Sequence, residues 1–378
     1  MLLLNRRFRS FSDVIPVCAL LGTLTAGLAA ADPVPPPRAQ PKPKAKEEIP
    51  HCRGIQINGP DLTGTAVRVP PVCIPQPQLT GVQLAKGLSL DGKTLIKDAV
   101  VKEGGLATAQ LSGAKLVGAL LLGQNQSKEK PTVRLRIDAV ESAPDARPQT
   151  PENENADVWL YRLSVQLGEG SDPTDAAFSP RGPWTPLCSD GKLAVAVSGH
   201  WDFAVGQDGN GGKVSSDPRE VTFACMGSAV AKCVTQMGYK PWKKAALKTG
   251  GAPVSLDELH QTCVRAVRAD YCGNGDSLTR AGEHVNFYDS FGLEKDDQTW
   301  PLEAMWTAAG AQCINSTRLK SAPADAATGR LEVVVREYIR EHCPTRFSEK
   351  PCAKTLDGKP YLLWTETLGS KSEPKAAH

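Results

Sequence analysis

The chain of 378 residues has no long apolar run beyond Ala30, no excess of charge of one sign, and none of the short motifs that mark common catalytic centres. Each absence excludes something. Without a later apolar run, no transmembrane helix is expected after the first segment. A formal net charge of +3, with no basic cluster longer than KPKAK or KPWKK, argues against nucleic acid or an anionic membrane as partner. No G-x-S-x-G, H-E-x-x-H or phosphate loop occurs, so the usual hydrolase, zinc-protease and nucleotide signatures are missing. The eleven cysteines contain no C-x-x-C, and spacings such as Cys225/Cys233 and Cys263/Cys272 do not fit common metal sites. No metal or cofactor is expected.

What is present begins with a targeting pattern. Arg6, Arg7 and Arg9 precede an apolar stretch, Val14 to Ala30, which is interrupted by Gly22 and Gly27 and ends in Ala29-Ala30-Ala31 before Asp32-Pro33. This reads as a cleaved secretory signal over 1–31, too short for a membrane anchor. Pro16-Val17 before Cys18 do not suit a lipoprotein signal. The expected localisation is secreted, periplasmic or cell-surface. Ten cysteines then remain: Cys52, Cys73, Cys188, Cys225, Cys233, Cys263, Cys272, Cys313, Cys343 and Cys352. An even set in an exported chain predicts disulfides. Cys52/Cys73 and Cys343/Cys352 are the expected local pairs, with the other six pairing among themselves. Cys263 and Cys272 should not pair, because nine residues of helix separate them by about 13 Å, beyond the roughly 7 Å limit between Cα atoms.

Composition divides the rest. Residues 32–50 are proline-rich and read as a tether. Residues 51–215 are glycine-rich and β-like. Within them Leu106, Leu111, Leu116 and Leu121 recur every fifth residue, each preceded by a small residue two positions earlier. This run resembles pentapeptide-repeat proteins, which implies a short β-helix; short glycine-punctuated strands are the alternative. Alternation predicts firm strands at 132–140 and 157–167, and further strands at 193–197 and 220–224. Residues 216–320 are cysteine-rich and mixed. Residues 321–364 form a helical tail carrying the local disulfide, and 365–378 read as disordered. The fold class expected is α+β: a glycine-rich antiparallel β region, with or without a pentad β-helix, followed by a disulfide-rich mixed α/β domain.

The stretch HQTCVRAVRADYCGNGDS, residues 260–277, gathers reactive side chains. A helix over 255–271 is predicted, with Ser255 and Glu258 as a capping box and Gly273 as its C-terminal glycine. On a helical wheel Leu256, Leu259, Cys263, Val264, Val267 and Tyr271 share a face, and Arg265 and Arg268 fall opposite. His260 and Asp270 lie in the apolar stripe. About 15 Å of helix separates them, so a catalytic pair would need His200, His284 or Asp289. Asp270 is expected to hold backbone N–H groups of Gly273-Asn274-Gly275 or an arginine such as Arg280, and His260 to be a core histidine. The loops GQDGNGG (206–212) and GNGD (273–276) offer oxygen ligands but lack EF-hand spacing. Trp184, Trp201, Trp242, Trp300, Trp306 and Trp364 could line a glycan site, although in a disulfide-rich domain they serve more often as core.

RADYCGNG at 268–275 resembles the signature of the ADYC domain, a family of exported bacterial proteins. Cys188, Trp201-Asp202, VTFACMGSAVAKC (221–233), GYKPW (238–242), His260/Cys263 and AMWTAAGAQC (304–313) follow the family order. The resemblance implies export and the placement of Asp270, Tyr271, Gly273, Trp201 and Trp242 as structural motif, and no activity. The function expected is a non-catalytic binding or structural module of the envelope or surface, with an unknown protein or glycan as ligand. The alternative is a secreted hydrolase around His260, Asp270 and a second histidine such as His200.

Overall fold

The computed structural model describes residues 79–125, 132–143, 155–188, 191–202, 212–279, 283–294, 300–323, 332–346, 352, 355–356, 359–360 and 362–368. The signal segment, the tether, Cys52, Cys73, Arg280 and nearly all of the GQDGNGG loop lie outside them. The two largest sheets among the described residues hold ten principal strands: β1 (Leu79–Gln83), β2 (Leu120–Asn125), β3 (Thr132–Ser142), β4 (Trp159–Gly170), β5 (Ala194–Ser198), β6 (Glu220–Cys225), β7 (Val285–Asp289), β8 (Leu302–Thr307), β9 (Gly310–Ile314) and β10 (Leu363–Thr367). Three helices accompany them: α1 (Ala229–Thr235), α2 (Asp257–Arg268) and α3 (Val335–His342).

The first six strands close into a ring. β6 pairs with β5, β5 with β4, β4 with β3, β3 with β2, β2 with β1, and β1 returns to β6, every pairing antiparallel. Val82 of β1 is the closing residue, facing Gly123 on one side and Val221 on the other. Strand alternation decides what lies inside. Val133, Leu135 and Ile137 of β3, Tyr161, Leu163 and Val165 of β4, Ala194 and Ala196 of β5, and Val221 and Phe223 of β6 all belong to one buried cluster. Their neighbours on β3 point outward and are polar: Arg134 ion-pairs with Asp175, and Arg136 with Asp138. On β5 and β6 both faces are apolar. Val195, Val197 and Ala224 face away from the ring and join a second cluster with α1 and α2. A strand buried on both faces reads as an unbroken apolar run, which is how AVAVS and VTFAC read.

The pentad leucines contribute to this barrel. Leu106, Leu116 and Leu121 are buried in the first cluster. They sit in short antiparallel strands and 3-10 turns, with Val100–Lys102 paired to Gly105–Ala107 and Leu88–Ser89 paired to β2. The glycine-punctuated alternative describes this segment, not the stacked coils of a β-helix. The small residues every fifth position mark turns.

α1 and α2 pack on each other, and α2 also packs on β8 and β9. The second sheet runs β7-β10-β8-β9. Its middle therefore holds the last strand among the described residues, β10, paired on both sides. This strand runs past the expected disordered limit at 365, and Thr365 and Thr367 are buried. The expected boundary at 215/216 also falls inside a unit, because β6 beyond it completes the barrel. The described residues all lie in one compact unit that starts at Pro50.

Among the described residues the disulfides are Cys188–Cys225, Cys233–Cys263, Cys272–Cys343 and Cys313–Cys352, with Cα–Cα separations of 5.5–6.0 Å. The expected local Cys343–Cys352 bridge is not formed. α3 docks its Val335 and Ile339 in the second cluster, which brings Cys343 to the end of α2, while Cys352 reaches β9. Tertiary packing overrides proximity in sequence.

Candidate functional site

α2 is shorter than its pattern predicts, and that changes the site. Ser255 is held extended in a two-residue strand paired with Lys244–Ala245, so it does not cap the helix. Its hydroxyl accepts from Asp257 N–H at 3.2 Å instead. At the other end Ala269 takes the left-handed conformation, φ 51°. Ala269 N–H bonds to Ala266 O at 3.1 Å and Asp270 N–H to Arg265 O at 2.9 Å, a Schellman closure. Glycine is the usual residue there; Ala269 bears a strain of about 1 kcal/mol. Gly273, expected as the terminator, serves another purpose. At φ +72° its backbone lies against β9, and an added Cβ would sit 1.9 Å from Ala309 O. Gly273 and Gly310 face each other, and Ala311 N–H donates to Tyr271 O at 2.9 Å.

Because the helix ends at Arg268, residues 269–271 leave the wheel and fold back. Asp270 is fully buried, and its Oδ2 accepts from Arg265 and from Gly275 N–H, the latter at 3.0 Å. Arg265 is not outward. It is 3% exposed and also donates from Nε to Ala308 O at 3.1 Å. Arg268, likewise expected outside, is buried and donates to Gly275 O at 2.5 Å. The expectation of outward arginines fails because the turn that folds back after Arg268 and the turn at Ala308 cover the helix face that carries them. The turn supplies buried carbonyls and a carboxylate that a guanidinium can satisfy.

Tyr271 enters a second network. Its hydroxyl donates to Glu303 Oε1 at 2.6 Å and accepts from Arg318 N–H at 2.9 Å, and its ring stacks on Trp306 at 5.3 Å. Burial, followed by the Glu303 charge, raises the phenol well above its ordinary pKa. Arg318 clasps Glu303 from Nε at 3.2 Å and Nη2 at 3.1 Å. It also donates to Ala266 O at 2.9 Å and Val267 O at 3.2 Å, satisfying helix-end carbonyls of α2. Glu303 is 0% exposed and Arg318 3%.

His260 is buried beside Trp201, with ring centroids 5.4 Å apart and edge-on, and its Nε2 lies 3.2 Å from Val230 O. Burial lowers its pKa to about 4, so it stays neutral. Among the described residues neither His260 nor Asp270 bonds to the other or to His200. His200 is half-buried at the start of the strand His200–Asp202, and His284 is exposed. Asp289 Oδ1 accepts from the N–H groups of Phe291 and Gly292, and its Oδ2 from Glu294 N–H at 2.6 Å and Tyr239 O–H at 3.0 Å. It ties a turn. Asn274 and Asp276 of the GNGD loop both contact the Tyr338 hydroxyl. No group of metal-ligating side chains occurs among the described residues.

Trp242 Nε1 donates to Asp157 Oδ2 at 2.7 Å, and the fully buried Lys240 places Nζ 2.5 Å from Asp157 Oδ1. Burial alone would raise the Asp157 pKa, but these hydrogen bonds and the charges of Lys240 and Lys243 hold it below the ordinary value. GYKPW thereby fastens the barrel-side Asp157 to the helical half.

A family model for the ADYC domain matches residues 113–320, more than half of the chain. The chain belongs to the ADYC domain family. The letters of the ADYC tetrapeptide, Ala269 to Cys272, now have physical meanings: a helix-ending left-handed residue, a buried ion-pair partner, a buried phenol on Glu303, and a disulfide to α3. Glu303 and Arg318, which sequence reading missed, also fall within the ADYC domain. Their signals were a lone acid inside the apolar strand LEAMWT and an arginine after Asn315-Ser316-Thr317. No curated protein matches the chain, and no solved structure matches it.

Proposed function

We propose that this protein is an exported, non-catalytic binding or structural module of the cell envelope or surface, with the ADYC stretch as its scaffold. The observation that carries this reading is the burial of Asp270, whose Oδ2 is divided between Arg265 and Gly275 N–H. A fully buried carboxylate held in this way orders a turn and presents no oxygen at the surface for a substrate to meet. Four disulfides among the described residues support an oxidising compartment, consistent with the signal pattern at 1–31. The ligand class proposed is a protein or a glycan. Against the alternative hydrolase, His260 is 1% exposed and held neutral by burial.

Asp270→Asn tests the scaffold role. The amide keeps an acceptor for Gly275 N–H and loses the charge facing Arg265. The variant should fold with a loss of about 1–3 kcal/mol and bind whatever the parent binds on protein and glycan arrays. A variant that melts like the parent yet loses a hydrolytic activity measured on ester, peptide and glycoside panels would move the hydrolase reading ahead. Fractionation of cells expressing the full chain tests export; recovery of the uncleaved protein in the cytosol would overturn it.

A further inference from the structure

The four disulfides among the described residues divide by exposure. In Cys188–Cys225 and Cys233–Cys263 no cysteine is more than 7% exposed. In Cys272–Cys343 and Cys313–Cys352 all four are half-buried. The same division appears along the chain. Both buried bridges join residues inside the region matched by the family, 113–320, and both half-buried bridges tie that region to the chain that follows it.

The segment they hold is α3 with the turn Pro344–Arg346. α3 has eight residues, too few to persist as a helix in water without support. It seats Val335, Tyr338 and Ile339 against the core and leaves Arg336, Glu337, Arg340, Glu341 and His342 outside. Beneath it lies the turn after the signature: the Tyr338 hydroxyl engages both Asn274 and Asp276. Arg346 adds hydrogen bonds to Ala311 O at 2.9 Å and Ala309 O at 3.2 Å. Three apolar side chains and a few polar contacts are modest anchorage, so the covalent links carry much of the attachment.

We propose that Cys272–Cys343 and Cys313–Cys352 form a thiol-releasable clasp that holds Val335–Arg346 over the Gly273–Asp276 turn, and that a dithiol reductant opens it while the two buried bridges stay closed. One thiolate of the reductant attacks an accessible sulfur, forming a mixed disulfide and expelling the partner cysteine as thiolate. The second thiol of the reductant then displaces the remaining cysteine. Two electrons pass to the protein cystine, the reductant becomes a cyclic disulfide, and both cysteines end as thiols. With the clasp open, Asn274 and Asp276 lose their contacts with the Tyr338 hydroxyl and the half-buried turn is uncovered further.

The experiment treats the oxidised full chain with graded dithiothreitol, traps free thiols with an alkylating agent, and maps them by mass spectrometry. Hydrogen exchange is followed in parallel. Cys272, Cys343, Cys313 and Cys352 should be labelled at least about tenfold faster than Cys188, Cys225, Cys233 and Cys263. Amides of 335–346 should lose protection at the same dithiol concentration while β3 and β4 keep theirs. Equal labelling of all eight cysteines would overturn the proposal, as would opening of the outer bridges with no change in exchange at 335–346. A variant with Cys272, Cys343, Cys313 and Cys352 all replaced by Ser should keep the barrel protected and expose 335–346 permanently. Failure of that variant to fold would assign these bridges to the core and equally overturn the clasp.

Discussion

The barrel and the helix–sheet half solve the burial problem differently. Inside the barrel the cluster from Val82 to Phe223 is apolar, and its large polar member is Tyr161, whose hydroxyl accepts from Leu106 N–H at 2.7 Å. The other half buries Arg265 with Asp270 and Arg318 with Glu303, and it buries Lys240 against the half-buried, barrel-side Asp157. The barrel is specified by alternation, which tolerates any apolar side chain of suitable size. The second half is specified by partners, each of which leaves a costly orphan if its mate is removed. Its short helices and two-residue strands could not close helix ends and turns by backbone pairing alone, and the charged side chains complete them.

The sharpest way to break this contrast is Glu303→Ala. It leaves Arg318 and the Tyr271 hydroxyl buried without their acceptor, and should cost about 3–5 kcal/mol, read by urea denaturation. A cost below that of a single hydrogen bond would show that water or rearrangement replaces the carboxylate.

The same substitution made in both halves is a finer comparison. Tyr271→Phe removes a hydrogen bond to a carboxylate and should cost about 1.5–3 kcal/mol, whereas Tyr161→Phe removes one to a neutral amide and should cost about 0.5–1.5 kcal/mol. Burial also pushes the Tyr161 phenol up to about 12 against the bond from Leu106, so neither tyrosine should titrate below the pH at which the fold is lost. Ultraviolet titration of the two single variants checks both. Equal losses would erase the distinction between the halves.

A further difference lies in pH dependence. His260 has a folded pKa of about 4 against an ordinary 6.5. Between those values the unfolded chain binds a proton that the folded chain refuses, so this residue contributes stability that is full above about pH 6.5 and declines as pH falls towards 4. His260→Gln should lower stability at neutral pH yet show a shallower fall in melting temperature from pH 7 to 4. A parallel fall in parent and variant would mean that His260 is already protonated in the fold.

Much of the barrel was legible because its signal is local. TVRLRIDAV and DVWLYRLSVQL alternate cleanly; the first strand observed, Thr132–Ser142, runs two residues further than expected, and the second, Trp159–Gly170, starts two residues later and ends three later. The closure through β1 was not legible, since Val82 meets partners some forty and some hundred and forty residues away and nothing near Leu79 announces either. The second sheet was missed for the same reason. Leu302–Thr307 and Leu363–Thr367 each carry an acid in mid-strand, and only their pairing across some sixty residues makes them a sheet. In the site, the core placement of His260 and Tyr271 followed from the apolar stripe. The inward turn of Arg265 did not, because it depends on Ala269 adopting a conformation that alanine seldom takes.

The position of β10 in the middle of its sheet makes that sheet depend on a strand synthesised after all of its neighbours. Synthesis runs from the amino terminus, so the barrel has all of its strands once Cys225 has emerged. β7, β8 and β9 then wait for Leu363–Thr367, and until that strand arrives two of them expose unpaired edges on either side of a gap. A product cut short before Leu363 would keep the barrel strands of the first half and present open strand edges to proteases in its second. Quality control would need to inspect little more than those edges to tell a chain that carries β10 from one that lacks it.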